Sequence, residues 1–110
     1  MSPYQVTRDF EYWLCKYTGA PFAVALNSCT AALLLCLRYL RGSPIPIVEI
    51  PKRTYISVAA SVVNSGCWLS FRDEDWQGTY QLRPLPIWDC ARRFTSGMYI
   101  PGQFQCVSFA

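Results

Sequence analysis

Three times along this chain a segment of helical length stops at a glycine, and each time a short apolar run follows. The first segment opens with Ser2-Pro3-Tyr4-Gln5. That reads as a helix start, with Ser as N-cap, Pro in the first turn and Gln closing a capping box. Val6, Phe10, Trp13, Leu14 and Tyr17 then recur at helical spacing until Gly19. The second segment, residues 29–41, is apolar nearly all round, which predicts burial on several sides. Arg38 and Arg41 suit the negative end of its dipole, and Gly42 ends it. The third, residues 55–64, has Ile56, Ala59, Ala60 and Val63 on one face, Thr54 positioned to cap it, and Gly66 after it. The apolar runs 22–26, 45–50, 67–71, 85–88 and 104–109 are the expected strands. An acidic turn, Asp73-Glu74-Asp75, closes the third of them. Helices that alternate with short apolar strands predict an α/β domain whose sheet is mainly parallel and flanked by helices. With 110 residues and neither repeats nor a linker, the chain fits one small domain.

Composition narrows the function classes. At 52% hydrophobic and 15% charged, the chain is far from the disordered regime, and much of its surface is expected to be covered. The net charge of +3 comes from scattered residues, with Arg92-Arg93 the densest pair. No basic stripe suggests nucleic acid. The longest apolar run, 31–37, is too short to span a bilayer. Histidine is absent, which removes the commonest general base and metal ligand. The cysteines at 15, 29, 36, 67, 90 and 106 show no C-x-x-C spacing and lie mostly in apolar runs. They are expected to be reduced, buried and metal-free, in a cytoplasmic protein. Charges at Arg8, Asp9 and Glu11 break the pattern of a signal peptide.

Four features can carry chemistry. Asn27-Ser28-Cys29-Thr30-Ala31 stands between an expected strand and a helix. A helix start offers free N–H groups and partial positive charge, so it can hold a phosphate; it can equally be an ordinary cap by Asn27 or Ser28. Asp89 ends the run Leu85-Pro86-Ile87-Trp88. A carboxylate at the C-terminal end of a strand lies where α/β sheets place ligands, and it can pair with a protonated ring nitrogen, cap a helix or pair with Arg92. Tyr55 stands at the mouth of the third helix, where an aromatic ring can stack on a flat ligand or simply pack. Ser108, near the end of the last run, can reach a phosphate.

In this order the features resemble the DegT/StrS-type family of pyridoxal-phosphate sugar aminotransferases, of the aspartate-aminotransferase fold. Residues 10–37 look like the family's helix, Gly-Ala turn and phosphate-binding Ser-x-Thr-Ala-Ala-Leu. Residues 48–75 look like its strand, Pro-x-x-Thr-aromatic helix start and Gly-strand-Asp. Residues 86–99, followed by 105–109, look like its Asp-x-Ala cofactor strand and the strand after it. The resemblance implies part of the large domain of a fold-type I enzyme, with Thr30 and Ala31 on the cofactor phosphate and Ser108 touching it. It implies Tyr55 stacked on the pyridine ring, Asp89 paired with the ring nitrogen, and Arg92 where the family usually has Gln or His near the ring oxygen. It also implies an amino group passed from glutamate to a keto group of a nucleotide-linked sugar by a homodimer.

Two departures follow from the same comparison. Only 16 positions separate Asp73 from Asp89 (89 − 73), where the family fits another strand and helix, so a deletion is expected there. The family's Schiff-base lysine is expected beyond Ala110. Residues 1–110 are therefore expected to be the N-terminal portion of the domain, with no catalytic residue, because Lys16 and Lys52 occupy other positions. A non-catalytic α/β remnant that pairs with another subunit is the rival expectation, and a domain whose Ser28–Thr30 loop holds some other phosphate ligand is a third.

Overall fold

A computed structural model describes residues 3–109. Its elements run α1 (Pro3–Thr18), α2 (Cys29–Leu40), β1 (Ile47–Pro51), α3 (Ile56–Asn64), β2 (Trp68–Arg72), β3 (Tyr80–Gln81), β4 (Ile87–Cys90) and β5 (Phe104–Val107). The expected cap by Ser2 lies outside the described residues. α1 ends at Gly19, whose φ of +85° suits a residue without Cβ and whose N–H reaches Cys15 O at 2.9 Å.

β1 and β2 pair in parallel from Ile47↔Trp68 to Pro51↔Arg72, and α3 makes the crossover between them. β4 and β5 are also parallel, from Ile87↔Phe104 to Cys90↔Val107. β3 runs antiparallel to β4, pairing Tyr80 with Asp89. The sheet content is therefore mainly parallel, as expected, but divided into two pieces. A backbone bridge joins the pieces: Glu49 N–H donates to Arg83 O at 2.7 Å, and Arg83 N–H donates to Glu49 O at 3.0 Å. Arg72 reinforces the joint, its guanidinium donating to Glu49 O and to Gln81 O, each at 2.7 Å. Leu33 and Leu37 of α2, Val58 and Val62 of α3, and Val48, Ile50, Leu82 and Ile87 from the strand layer fill the core.

Several expectations are corrected. Residues 22–26 form no strand: Phe22 is 86% exposed, and Ala25 N–H donates to the Glu11 carboxylate at 2.8 Å. A strand needs a neighbour for its backbone groups, and among the described residues none runs beside this segment. α2 is buried on one side only, with Leu35 and Tyr39 exposed. α3 turns the opposite face inward from the one expected. It buries Val58, Ser61 and Val62 and leaves Ile56 88% exposed. Ser61 can be buried because its hydroxyl donates to Ser57 O at 2.8 Å, and Ser65 likewise to Val62 O at 2.7 Å. Thr54 does not cap α3. The N-cap position is Tyr55, without a side-chain bond, and the Thr54 hydroxyl donates to Tyr55 O. The last run is a strand only to Val107.

Candidate functional site

The first turn of α2 is set by Ser28, whose extended backbone precedes the helix and whose Oγ accepts the Ala31 N–H at 3.0 Å. Of the two capping alternatives, the structure thus uses Ser28 rather than Asn27. The amides of Cys29 and Thr30 remain at the helix mouth without intrahelical acceptors, beside an exposed Thr30 side chain. Ala31 contributes little of its own, because its amide is already engaged by Ser28.

Asp89 is a buried carboxylate, 5% exposed, near the C-terminal end of β4. Its Oδ2 accepts from the Tyr80 hydroxyl across the β3–β4 pair, and its Oδ1 accepts Ala91 N–H at 3.0 Å. Each oxygen keeps a further lone pair for a ligand donor. The first residue of α2 feels this charge. Burial first, and then Asp89, push the Cys29 thiol up to about 11. Burial first, and then the hydrogen bond to Asp89, raise the Tyr80 hydroxyl well above the usual phenol range, so Tyr80 is a donor throughout the neutral region. The Cys29 side chain at the start of α2 is thus close enough to Asp89 to feel its charge. Ser108, half-buried, follows β5 directly, beside the strand end that carries Asp89.

Tyr55 and Arg92 meet on the wall of an open cavity of about 370 Å³, lined by Arg53, Thr54, Tyr55, Trp76 and Arg92. Arg92 Nη2 donates to the Tyr55 hydroxyl at 2.6 Å, and its guanidinium lies 5.4 Å from the centre of the Tyr55 ring. Trp76 reaches in from the segment after β2, donating to Arg53 O at 2.7 Å, and packs 4.7 Å from the Tyr80 ring. Of the six residues singled out in the sequence, Tyr55 and Arg92 line this cavity. Asp89, hydrogen-bonded to Tyr80, is not on its wall, nor are Thr30, Ala31 and Ser108. Lys16 sits over the Tyr12 ring, and Lys52 is exposed just past β1.

Sequence reasoning missed Tyr80, Trp76 and Arg53. The pairing Tyr80↔Asp89 belongs to a two-residue strand, too short to leave a periodic signal. The residues between Asp73 and Asp89 fold as irregular chain around β3, and this compact segment delivers both Trp76 and Tyr80. Among the described residues no three His, Cys, Asp or Glu side chains are grouped to hold a metal, and no helix is long and apolar enough to cross a membrane.

The sequence model of the DegT/DnrJ/EryC1/StrS aminotransferase family matches residues 1–98. The spore coat polysaccharide biosynthesis protein SpsC of Bacillus subtilis (strain 168) is 34% identical over 80 residues, covering 73% of this chain and 20% of SpsC. No solved structure matches the chain significantly. The chain thus spans about a fifth of the length of this curated relative, and it belongs to the DegT/DnrJ/EryC1/StrS aminotransferase family.

Proposed function

We propose that this chain is a cofactor-binding part of a sugar aminotransferase that uses pyridoxal phosphate. The observation that carries the reading is the buried Asp89 carboxylate, held by the Tyr80 hydroxyl and the Ala91 N–H, in a fold whose α2 opens with free amides. These two chemistries suit the two ends of the cofactor. The amides of Cys29 and Thr30, with the Thr30 hydroxyl, suit a phosphate. Asp89 suits a protonated ring nitrogen, and Tyr80 fixes the orientation of its carboxylate. Tyr55 supplies a flat face and Arg92 a donor near it. Ser108, just past β5, is assigned to the phosphate by the family resemblance. When bound, pyridoxal phosphate acts as an electron sink for bond breaking next to an amine nitrogen. The role of Asp89 is to keep the proton on the ring nitrogen.

The polysaccharide biosynthesis role that SpsC is named for supports a sugar as acceptor, and we extend this to a nucleotide-linked keto sugar, a glutamate donor, a cytoplasmic setting and a homodimer. A second reading, a non-catalytic module that pairs with another subunit, is favoured by an exposed apolar face of α1, where Val6 and Trp13, two turns apart, are both mostly exposed. Equilibrium dialysis separates the two. The cofactor reading expects pyridoxal phosphate to bind at least tenfold more tightly than pyridoxal, and Asp89→Asn to weaken both. Equal affinity for the two ligands, or none for either, rejects it.

A further inference from the structure

α2 and β5 bring two thiols face to face. Cys36 Sγ lies 3.9 Å from Cys106 Sγ, across 70 positions of sequence. Cys106 is buried in the core, 4% exposed, while Cys36 is half-buried. The pair is central to the fold and belongs to neither the anion-binding turn nor the cavity.

We propose that Cys36 and Cys106 form a peroxide-reactive dithiol, a covalent modification site that closes to a disulfide and clamps α2 to β5. Cys36 is the attacking sulfur and Cys106 the resolving one. Cys106 is buried and Cys36 only half-buried, so Cys36 is the more open of the two to a small oxidant; either sulfur can donate across the 3.9 Å contact, and when Cys106 donates, the bond favours the Cys36 thiolate and draws it below the ordinary thiol range. The same bond, together with burial, raises Cys106. Neighbouring thiols are held protonated: burial and then Asp89 push Cys29 up to about 11 and Cys90 up to about 12. The attack therefore has a defined start. The Cys36 thiolate takes one oxygen of hydrogen peroxide, the O–O bond breaks, and hydroxide leaves. Cys106 sulfur then attacks the Cys36 sulfenic acid. The S–S bond forms, the S–O bond breaks, and the departing hydroxide takes the Cys106 proton as water. In sum, two thiols and one hydrogen peroxide become one disulfide and two waters. Closing the sulfurs from 3.9 Å to about 2.05 Å requires side-chain movement.

The test treats the full 110-residue chain with stoichiometric hydrogen peroxide, followed by alkylation and peptide mapping without reductant. The expected result is loss of two of the six free thiols, a mass lower by two hydrogens, and one crosslinked peptide pair joining Cys36 to Cys106. Cys36→Ser, at a half-buried position, is expected to fold and to keep its remaining thiols under the same treatment. Dithiothreitol is expected to restore all six in the wild type. Persistence of six free thiols, a crosslink between any other pair, or a sulfinic acid at Cys36 with Cys106 still free would overturn the proposal.

Discussion

Tyr80→Phe isolates one hydroxyl at the centre of the proposed site. The ring stays the same size and keeps its packing against Trp76, 4.7 Å away. What disappears is the donor to Asp89 Oδ2. Both partners are buried, Tyr80 at 3% and Asp89 at 5% exposure, so water does not replace the lost bond freely. A hydrogen bond to a charged group is worth about 1.5–3 kcal/mol. The expected loss is therefore about 2 kcal/mol, or roughly 8 °C in Tm at about 4 °C per kcal/mol. Urea unfolding followed by tryptophan fluorescence reads this directly. A double-mutant cycle sharpens it: in an Asp89→Asn background the same substitution should cost at least about 1 kcal/mol less. A change below about 0.5 kcal/mol for Tyr80→Phe, or the same cost in both backgrounds, would refute the reasoning, because the hydroxyl would then not be holding the carboxylate.

Asp89→Asn keeps the side-chain size but cannot hold a proton on a ring nitrogen; in the complete enzyme it is expected to cost about 3 kcal/mol of transition-state stabilisation, at least a hundredfold in rate, with wild-type turnover as the contrary result. Ser28→Ala removes the acceptor for Ala31 N–H and is expected to cost about 1 kcal/mol in thermal or urea unfolding, unchanged stability being the opposite outcome. Cys29 and Cys90 have folded values of about 11 and 12 against 9.0 unfolded, so the folded state holds their protons more tightly. Their contribution to stability is complete below pH 9 and is lost as pH rises through that window; Cys29→Ser should flatten the decline in a pH series of urea melts. Freshly purified protein should titrate as six free thiols after denaturation, and a disulfide before any oxidant is added would contradict that expectation.

Helices were legible because each carries its own stop. Gly19, Gly42 and Gly66 all adopt positive φ, and the segments before them form α1, α2 and α3 within two residues of expectation. Strand identity was less legible because it depends on a neighbour. Residues 22–26 have strand-like composition but no partner among the described residues, whereas Tyr80-Gln81 has little composition signal and pairs with β4. The inward face of α3 was misread because Ser57, Ser61 and Asn64 share one stripe of the helix, which reads as a solvent face, yet Ser61 is buried. The decision fell to Ser61 and Ser65, whose hydroxyls return to their own helix and become core residues. Asp89 could be singled out because a strand end is visible in the sequence. Tyr80 could not, since its role exists only through the antiparallel pairing that sets it opposite Asp89.

Amide chemical-shift mapping with deoxypyridoxine phosphate tests the cofactor assignment most directly. This analogue keeps the ring nitrogen and the phosphate but lacks the aldehyde, so it cannot react with Lys16 or Lys52. The account predicts saturable shifts at the amides of Cys29 and Thr30 and at Ala91, whose N–H rests on Asp89 Oδ1. The Thr30 shift should also appear with inorganic phosphate, and the Ala91 shift should not. Shifts confined to Arg53, Trp76 and Arg92, or none at the start of α2, would contradict it.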